Sequence, residues 1–139
     1  MEQTNTTEIL LNGAYGGFSI SKEAAAKYKE KLRENNLEHK DLYNCDIYRH
    51  KHRMDPILIN IVKELGDKAN GKHCKIYIES FNSEFKNYIK IHEYDGQEDL
   101  EIDIQSYRLD LIKEVTNSDL SSDDKISKIK EVLNKTFDY

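Results

Sequence analysis

Apolar positions along this chain fall into short runs with recognisable periods, and those runs predict most of its elements. Glu8-Ile9-Leu10-Leu11, closed by Asn12-Gly13, reads as a first strand. A glycine-rich loop follows, Gly13-Ala14-Tyr15-Gly16-Gly17-Phe18, after which Ser19 or Ser21 offers a hydroxyl to cap a helix. That first helix, from Lys22 to Asn36, carries Ala25, Tyr28 and Leu32 on one face; the stripe is thin and places it on the surface of the core. Leu37 to Met54 shows no period and predicts a loop with a short strand at Asp46–Tyr48. Asp55-Pro56 starts a second helix, because Asp caps well and Pro costs nothing at the first helical position. Its apolar residues, Ile57, Leu58, Ile61, Val62 and Leu65, form the best amphipathic stripe in the chain, so this helix should be the most buried.

Period-2 alternation dominates the next third. Cys74–Glu79 and Tyr88–Tyr94 alternate on either side of Asn82-Ser83-Glu84 and predict a hairpin-like pair. With Ile76, Ile78, Ile89 and Ile91 facing a core, Lys75, Tyr77, Tyr88, Lys90, His92 and Tyr94 share the opposite face, which suits cover by a helix or the stacking of bases. Asp95-Gly96 is a turn signal, and Leu100–Ile104 reads as a further strand. A third helix over 106–115 carries Tyr107, Leu111, Ile112 and Val115. A fourth over 123–137 carries Ile126, Ile129, Leu133 and Phe137. The expected fold is α+β: a small antiparallel or mixed sheet of three to four strands with helices packed on it and a helical C-terminal segment.

At 139 residues the chain suits one domain. No apolar run approaches the ~20 residues of a membrane span, and Met1–Leu11 lacks the basic start of a secretory signal. Two cysteines exclude a disulfide framework and a four-cysteine zinc site, and point to a reducing compartment. The formal charge is −5, unevenly spread: residues 22–53 sum to +3 and residues 93–125 to −8. The acidic half argues against broad nucleic-acid binding, and the asymmetry would suit pairing between copies.

Several places could carry chemistry. A strand feeding Gly16-Gly17 and then a helix start is a topology in which backbone N–H groups cradle an anion; the plain alternative is a tight turn with positive φ. The loop lacks the ending of a P-loop and the spacing of a dinucleotide fingerprint. The basic run Arg49-His50-Lys51-His52-Arg53 could neutralise phosphate, or could be a solvated loop with Arg53 paired to Asp55. His50-x-His52, with His39 and Cys45 upstream, matches no zinc signature and sits among cations, so no metal is expected. Glu93-Tyr94-Asp95-Gly96-Gln97-Glu98-Asp99 crowds four carboxylates into one turn, either as a charged hairpin tip or as a general base. No catalytic triad or cysteine–histidine pair stands out, and no cofactor is expected.

Three segments together, 11–24 with the YGGFS loop, 53–66 with the Arg-x-Asp-Pro helix start, and 92–98 with the Glu-Tyr-Asp-Gly turn, resemble a small protein family of bacteriophages and giant DNA viruses. The resemblance covers residues 8–104 and implies a viral origin. It makes residues 1–104 a family-like core and 105–139 a C-terminal helical extension of the same domain. The family carries no settled activity and so supplies no catalytic residues. The resulting expectation is a non-enzymatic viral or phage binding protein of the host cytoplasm, with the virion as an alternative location. It would bind a host protein or a nucleotide-type anion and form homo-oligomers. Its ligand surface would comprise Tyr15, Gly16, Gly17, Ser19, Arg49, Arg53, Tyr94 and Asp95. The alternatives are a phosphoester hydrolase using Glu93, Asp95 or His92, and a structural virion component.

Overall fold

In the computed structural model, which describes residues 5–37 and 50–137, the strands and helices follow in the order β1 (Thr6–Asn12), α1 (Lys22–Glu34), α2 (His50–Arg53), α3 (Pro56–Leu65), β2 (Ile76–Asn82), β3 (Ile89–Tyr94), β4 (Gln97–Ile102), α4 (Ile104–Thr116) and α5 (Ser122–Asn134). The fold is α+β with four strands, all pairings antiparallel. The strands form two ladders. β1 pairs with β2 from Thr6↔Asn82 to Asn12↔Ile76, and β3 pairs with β4 from Ile89↔Ile102 to Tyr94↔Gln97.

This pairing corrects the expected hairpin between the strands around residues 74–79 and 88–94. The segment joining β2 to β3 is a 3-10 stretch, Ser83–Tyr88, that buries Phe85. It sends the chain away instead of folding it back. The tight turn lies one strand later. Asp95 and Gly96 have φ of 53° and 87°, and positive φ at both central residues matches the right-handed twist of a two-residue hairpin. β4 therefore begins at Gln97, ahead of its expected start. Its expected last residues instead open a helix: Asp103 caps α4, and Ile104 lies inside it.

The run Ile9-Leu10-Leu11 is continuous because the β1–β2 ladder is covered on both faces. Leu10, with Ile76 and Ile78 partly buried beside it, faces a core made with Phe18, Tyr28 and Leu32 and with Leu58, Ile61 and Val62 of α3. Ile9, Leu11 and Phe81 face a second core with Phe85, Ile89, Tyr107 and Phe137. Phe85, Tyr107 and Phe137 meet edge to face, with centroids 4.9–6.0 Å apart. The six polar and aromatic residues expected on one shared sheet face are thus divided. Tyr77 and Tyr88 pack against the second core, whereas Tyr94 is 82% exposed.

α3 buries Leu58, Ile59, Ile61 and Val62, and α1 buries as many, Ala24, Ala25, Tyr28 and Leu32, so α1 is a full partner in the first core where only a surface position was expected. Asp55 caps α3 by accepting from the Ile57 N–H at 2.9 Å, and Gly66 ends α3 at φ 58°. Ser21, rather than Ser19, caps α1, accepting from the Ala24 N–H at 3.1 Å. Residues 50–53 of the basic run form a helical turn where a loop was expected. The strand expected at 46–48 lies outside the described residues. α5 buries none of its own side chains; the Arg108 guanidinium of α4 ties down its end by donating to the carbonyls of Val132, Leu133 and Lys135 at 2.8, 2.9 and 2.5 Å. Among the described residues no helix is long and apolar enough to cross a membrane.

Candidate functional site

The glycine loop, the start of α3 and the β3–β4 turn are far apart in sequence and adjacent in space. Asn12, the last residue of β1, joins two of them. Its side chain is fully buried and uses its whole hydrogen-bonding capacity. Nδ2 donates to the carbonyls of Ala14 (2.8 Å) and Gly96 (2.7 Å), and Oδ1 accepts from the N–H groups of Ala14 (2.9 Å) and Lys75 (3.0 Å). The glycine loop is thereby pinned to the hairpin turn. Gln97 adds a further tie, donating from Nε2 to the Gly13 carbonyl at 3.2 Å.

The contact is close enough to exclude side chains. A Cβ on Gly96 would lie 2.5 Å from the Tyr15 carbonyl oxygen and 2.6 Å from the Gly17 nitrogen. A Cβ on Gly16 would collide with His73, whose carbonyl accepts the Gly16 N–H at 3.0 Å. Gly17 differs: its φ is 79°, and nothing lies within 4 Å of where its Cβ would stand. Ser19 pairs through its backbone carbonyl with the Gly71 N–H at 3.0 Å.

Beneath the loop lies a buried ion pair. Arg53 Nη1 donates to Glu98 Oε1 at 2.5 Å, and both side chains are 5% exposed. The same oxygen accepts the Asn12 N–H at 2.9 Å, and the Arg53 guanidinium sits 4.0 Å over the Phe18 ring. Arg53 Nε has no hydrogen-bond partner among the described residues. Arg53 therefore does converge on the glycine loop, but its charge is met by Glu98, not by Asp55. Asp55 instead accepts a hydrogen bond from the Tyr28 hydroxyl. Burial, followed by the Asp55 hydrogen bond and its negative charge, pushes the Tyr28 phenol far above its ordinary range.

The anion cradle expected at this loop is largely occupied by the protein itself. The N–H groups of Gly13 and Gly16 are bonded to the Lys75 and His73 carbonyls, and Arg53 is neutralised. Arg49 lies outside the described residues. Tyr15 and Tyr94 point the other way: they are 69% and 82% exposed, on the two loops that Asn12 and Gly96 lock together, with exposed Asp95 beside Tyr94. Of the residues a hydrolase would use here, Glu93, Asp95 and His92 are all exposed. The His92 imidazole is paired with Glu101 across the hairpin. The buried Cys74 thiol is pushed up, mainly by burial, which is the opposite of a reactive thiolate. Among the described residues no group of three or more metal-ligating side chains comes together.

Comparisons with protein-family models, with curated proteins and with solved structures found no match to this chain.

Asn12 and Glu98 are the residues that sequence reasoning passed over. Asn12 looked like a strand end before glycine, and Glu98 was one of four carboxylates in a crowded turn. The available signal was the period of β4. From the Asp95-Gly96 turn, Gly96 and Glu98 fall on one face of the strand and Gln97 and Asp99 on the other.

Proposed function

We propose that this chain is a non-enzymatic viral or phage protein that docks on a host protein through the ridge formed by Tyr15, Tyr94 and Asp95. The observation that carries the reading is the exposure of two tyrosines on loops that a buried network holds rigid. Tyrosine offers a large amphipathic contact area with few torsions to freeze, and aromatic residues dominate the energetics of protein interfaces. A pre-ordered ridge lowers the entropy lost on association. Sequestration of a nucleotide is less well supported, because the Gly13 and Gly16 amides and the Arg53 charge already have internal partners.

The test compares wild type with a Tyr15→Ala/Tyr94→Ala variant in quantitative capture from host lysate, alongside calorimetry with mono-, di- and cyclic nucleotides. Both rings are exposed, so the variant should keep its fold and lose the captured host protein by tenfold or more. Heat from a nucleotide, with no protein lost by the variant, would replace docking by anion binding.

We also infer self-association through the α4–α5 side. Leu109, Ile126 and Leu133 are each more than half exposed there. Light scattering that shows a monomer over a wide concentration range would remove this part of the reading.

A further inference from the structure

α5 leans on α4 without being covered. Arg108 ties down its end, and at its start Lys125 Nζ donates to the Thr116 carbonyl at 2.9 Å, yet none of its thirteen residues is buried. A helix of this length is marginal in water by itself, and helical stability in proteins comes mostly from packing an amphipathic face. The uncovered face has that character. Ile126, Ile129 and Leu133 fall at i, i+3 and i+7, the period of a two-helix seam. Ile126 and Leu133 are more than half exposed, and Ile129 is partly so. Leu109 of α4, also more than half exposed, lies level with Leu133, because its neighbour Arg108 reaches the Val132 and Leu133 carbonyls. It stands about 200° round the helix from buried Tyr107, and so faces away from the second core.

The charges beside the seam select what covers it. Lys125 and Val132 border it on the flank toward α4 and are partly buried. Asp123 and Lys130 border it on the other flank, seven residues apart. Both are exposed, and neither makes an ion pair among the described residues. Related by a two-fold axis across the helix, two such seams run antiparallel. Ile126 then packs against the partner's Ile129, and Asp123 comes opposite the partner's Lys130, twice over by symmetry. Parallel pairing would instead bring Lys125 toward the partner's Lys130, like against like. A flank that carries both signs at this spacing is complementary to its own reverse, and a second copy of the chain supplies that reverse. The seam is about 20 Å long, which puts the contact at the small end of specific interfaces and makes the dimer weak and concentration-dependent.

We propose that α5 pairs antiparallel with α5 of a second copy, through the seam of Ile126, Ile129 and Leu133 and two Asp123–Lys130 pairs across it. The apolar seam supplies affinity, and the charges fix orientation. This pairing rests on the self-association inferred above and gives it a surface and a direction.

Sedimentation equilibrium on the full chain, over a wide concentration range, reads the dimer. Asp123→Lys and Lys130→Glu should each weaken it by about tenfold or more, because each turns two attractions into two repulsions. Mixed in equal amounts, the two variants should recover the wild-type affinity as a heterodimer in which every pair is attractive again. Ile126→Lys/Leu133→Lys should be monomeric, with circular dichroism confirming that it is folded; should it lose its helix, the mixing experiment decides. If Asp123→Lys frays the first turn of α5, Asp123→Asn should still weaken the dimer, and no weakening would overturn the pairing. A wild-type monomer at every concentration would remove self-association and this pairing with it. A dimer unchanged in the folded Ile126→Lys/Leu133→Lys variant would lie on another surface, overturning the pairing while self-association stands. Single variants that weaken the dimer and do not recover on mixing would exclude the antiparallel arrangement and overturn it as well.

Discussion

Replacing Arg53 by alanine tests the centre of the candidate site most directly. The change removes the cation from a pair whose two side chains are each 5% exposed and leaves Glu98 under the glycine loop. Breaking a buried ion pair by deleting one partner costs about 3–5 kcal/mol, because the remaining charge is desolvated and uncompensated. Glu98 keeps the Asn12 N–H at 2.9 Å, which places the expected loss near the lower end, about 3 kcal/mol. Removal of the guanidinium from the Phe18 face adds to that loss, by about 0.5–2 kcal/mol. Together the losses come to about 3.5–5 kcal/mol, and in urea unfolding, with a slope of about 2 kcal/mol per molar, the midpoint should fall by roughly 1.8–2.5 M. The double variant Arg53→Met/Glu98→Leu removes both charges and should recover most of the loss, since apolar replacement of a buried pair is often neutral or stabilising. A loss below about 1 kcal/mol for Arg53→Ala would put the pair among solvated surface bridges. Arg53 would then not be committed to the fold, and its charge would be open to an anion.

Three further outcomes follow from the packing and the caps. Leu58→Ala, at a site 1% exposed in the first core, should cost about 2–5 kcal/mol by denaturant unfolding, and a cost under 1 kcal/mol would show that the α3 stripe is not core. Gly17→Ala should lose only the ~1–2 kcal/mol of a left-handed backbone. Gly96→Ala combines positive φ with backbone atoms 2.5–2.6 Å from the new Cβ, so it should lose clearly more, and equal losses would mean that the two loops are not pressed together. The Asp103 carboxyl is held below its ordinary value of 3.8 by hydrogen bonds from the Ser106 hydroxyl and N–H and by the Lys90 charge. Its folded pKa is depressed, so its contribution is present above the unfolded value and disappears as pH falls through the folded one. Urea midpoints of wild type and Asp103→Asn should therefore differ at neutral pH and converge below pH 3.8; a gap independent of pH would refute the assignment.

Local chemistry was legible along the chain. Asp55-Pro56 marked the start of α3, and the 57–65 stripe identified its buried face, because capping and amphipathic period act within a few residues. The Asp95-Gly96 turn was visible for the same reason, since few residue pairs accept positive φ at both positions. Strand partners were not legible. β2 alternates as well for a neighbour at β3 as for one at β1, and the choice was made by two covered faces and by Phe85, which draws the connecting segment into the second core. The candidate site divides along the same line. Tyr15, Gly16, Gly17 and Arg53 could be singled out from residue type and spacing, but their roles could not be. Whether Arg53 offers a charge to a ligand depends on Glu98, 45 residues away, and Glu98 comes to it only because Asn12 and Gly96 bring the β3–β4 turn against the end of β1. Propensity and period act over a few residues and can be read from the chain; the partner of a buried charge is chosen by tertiary packing.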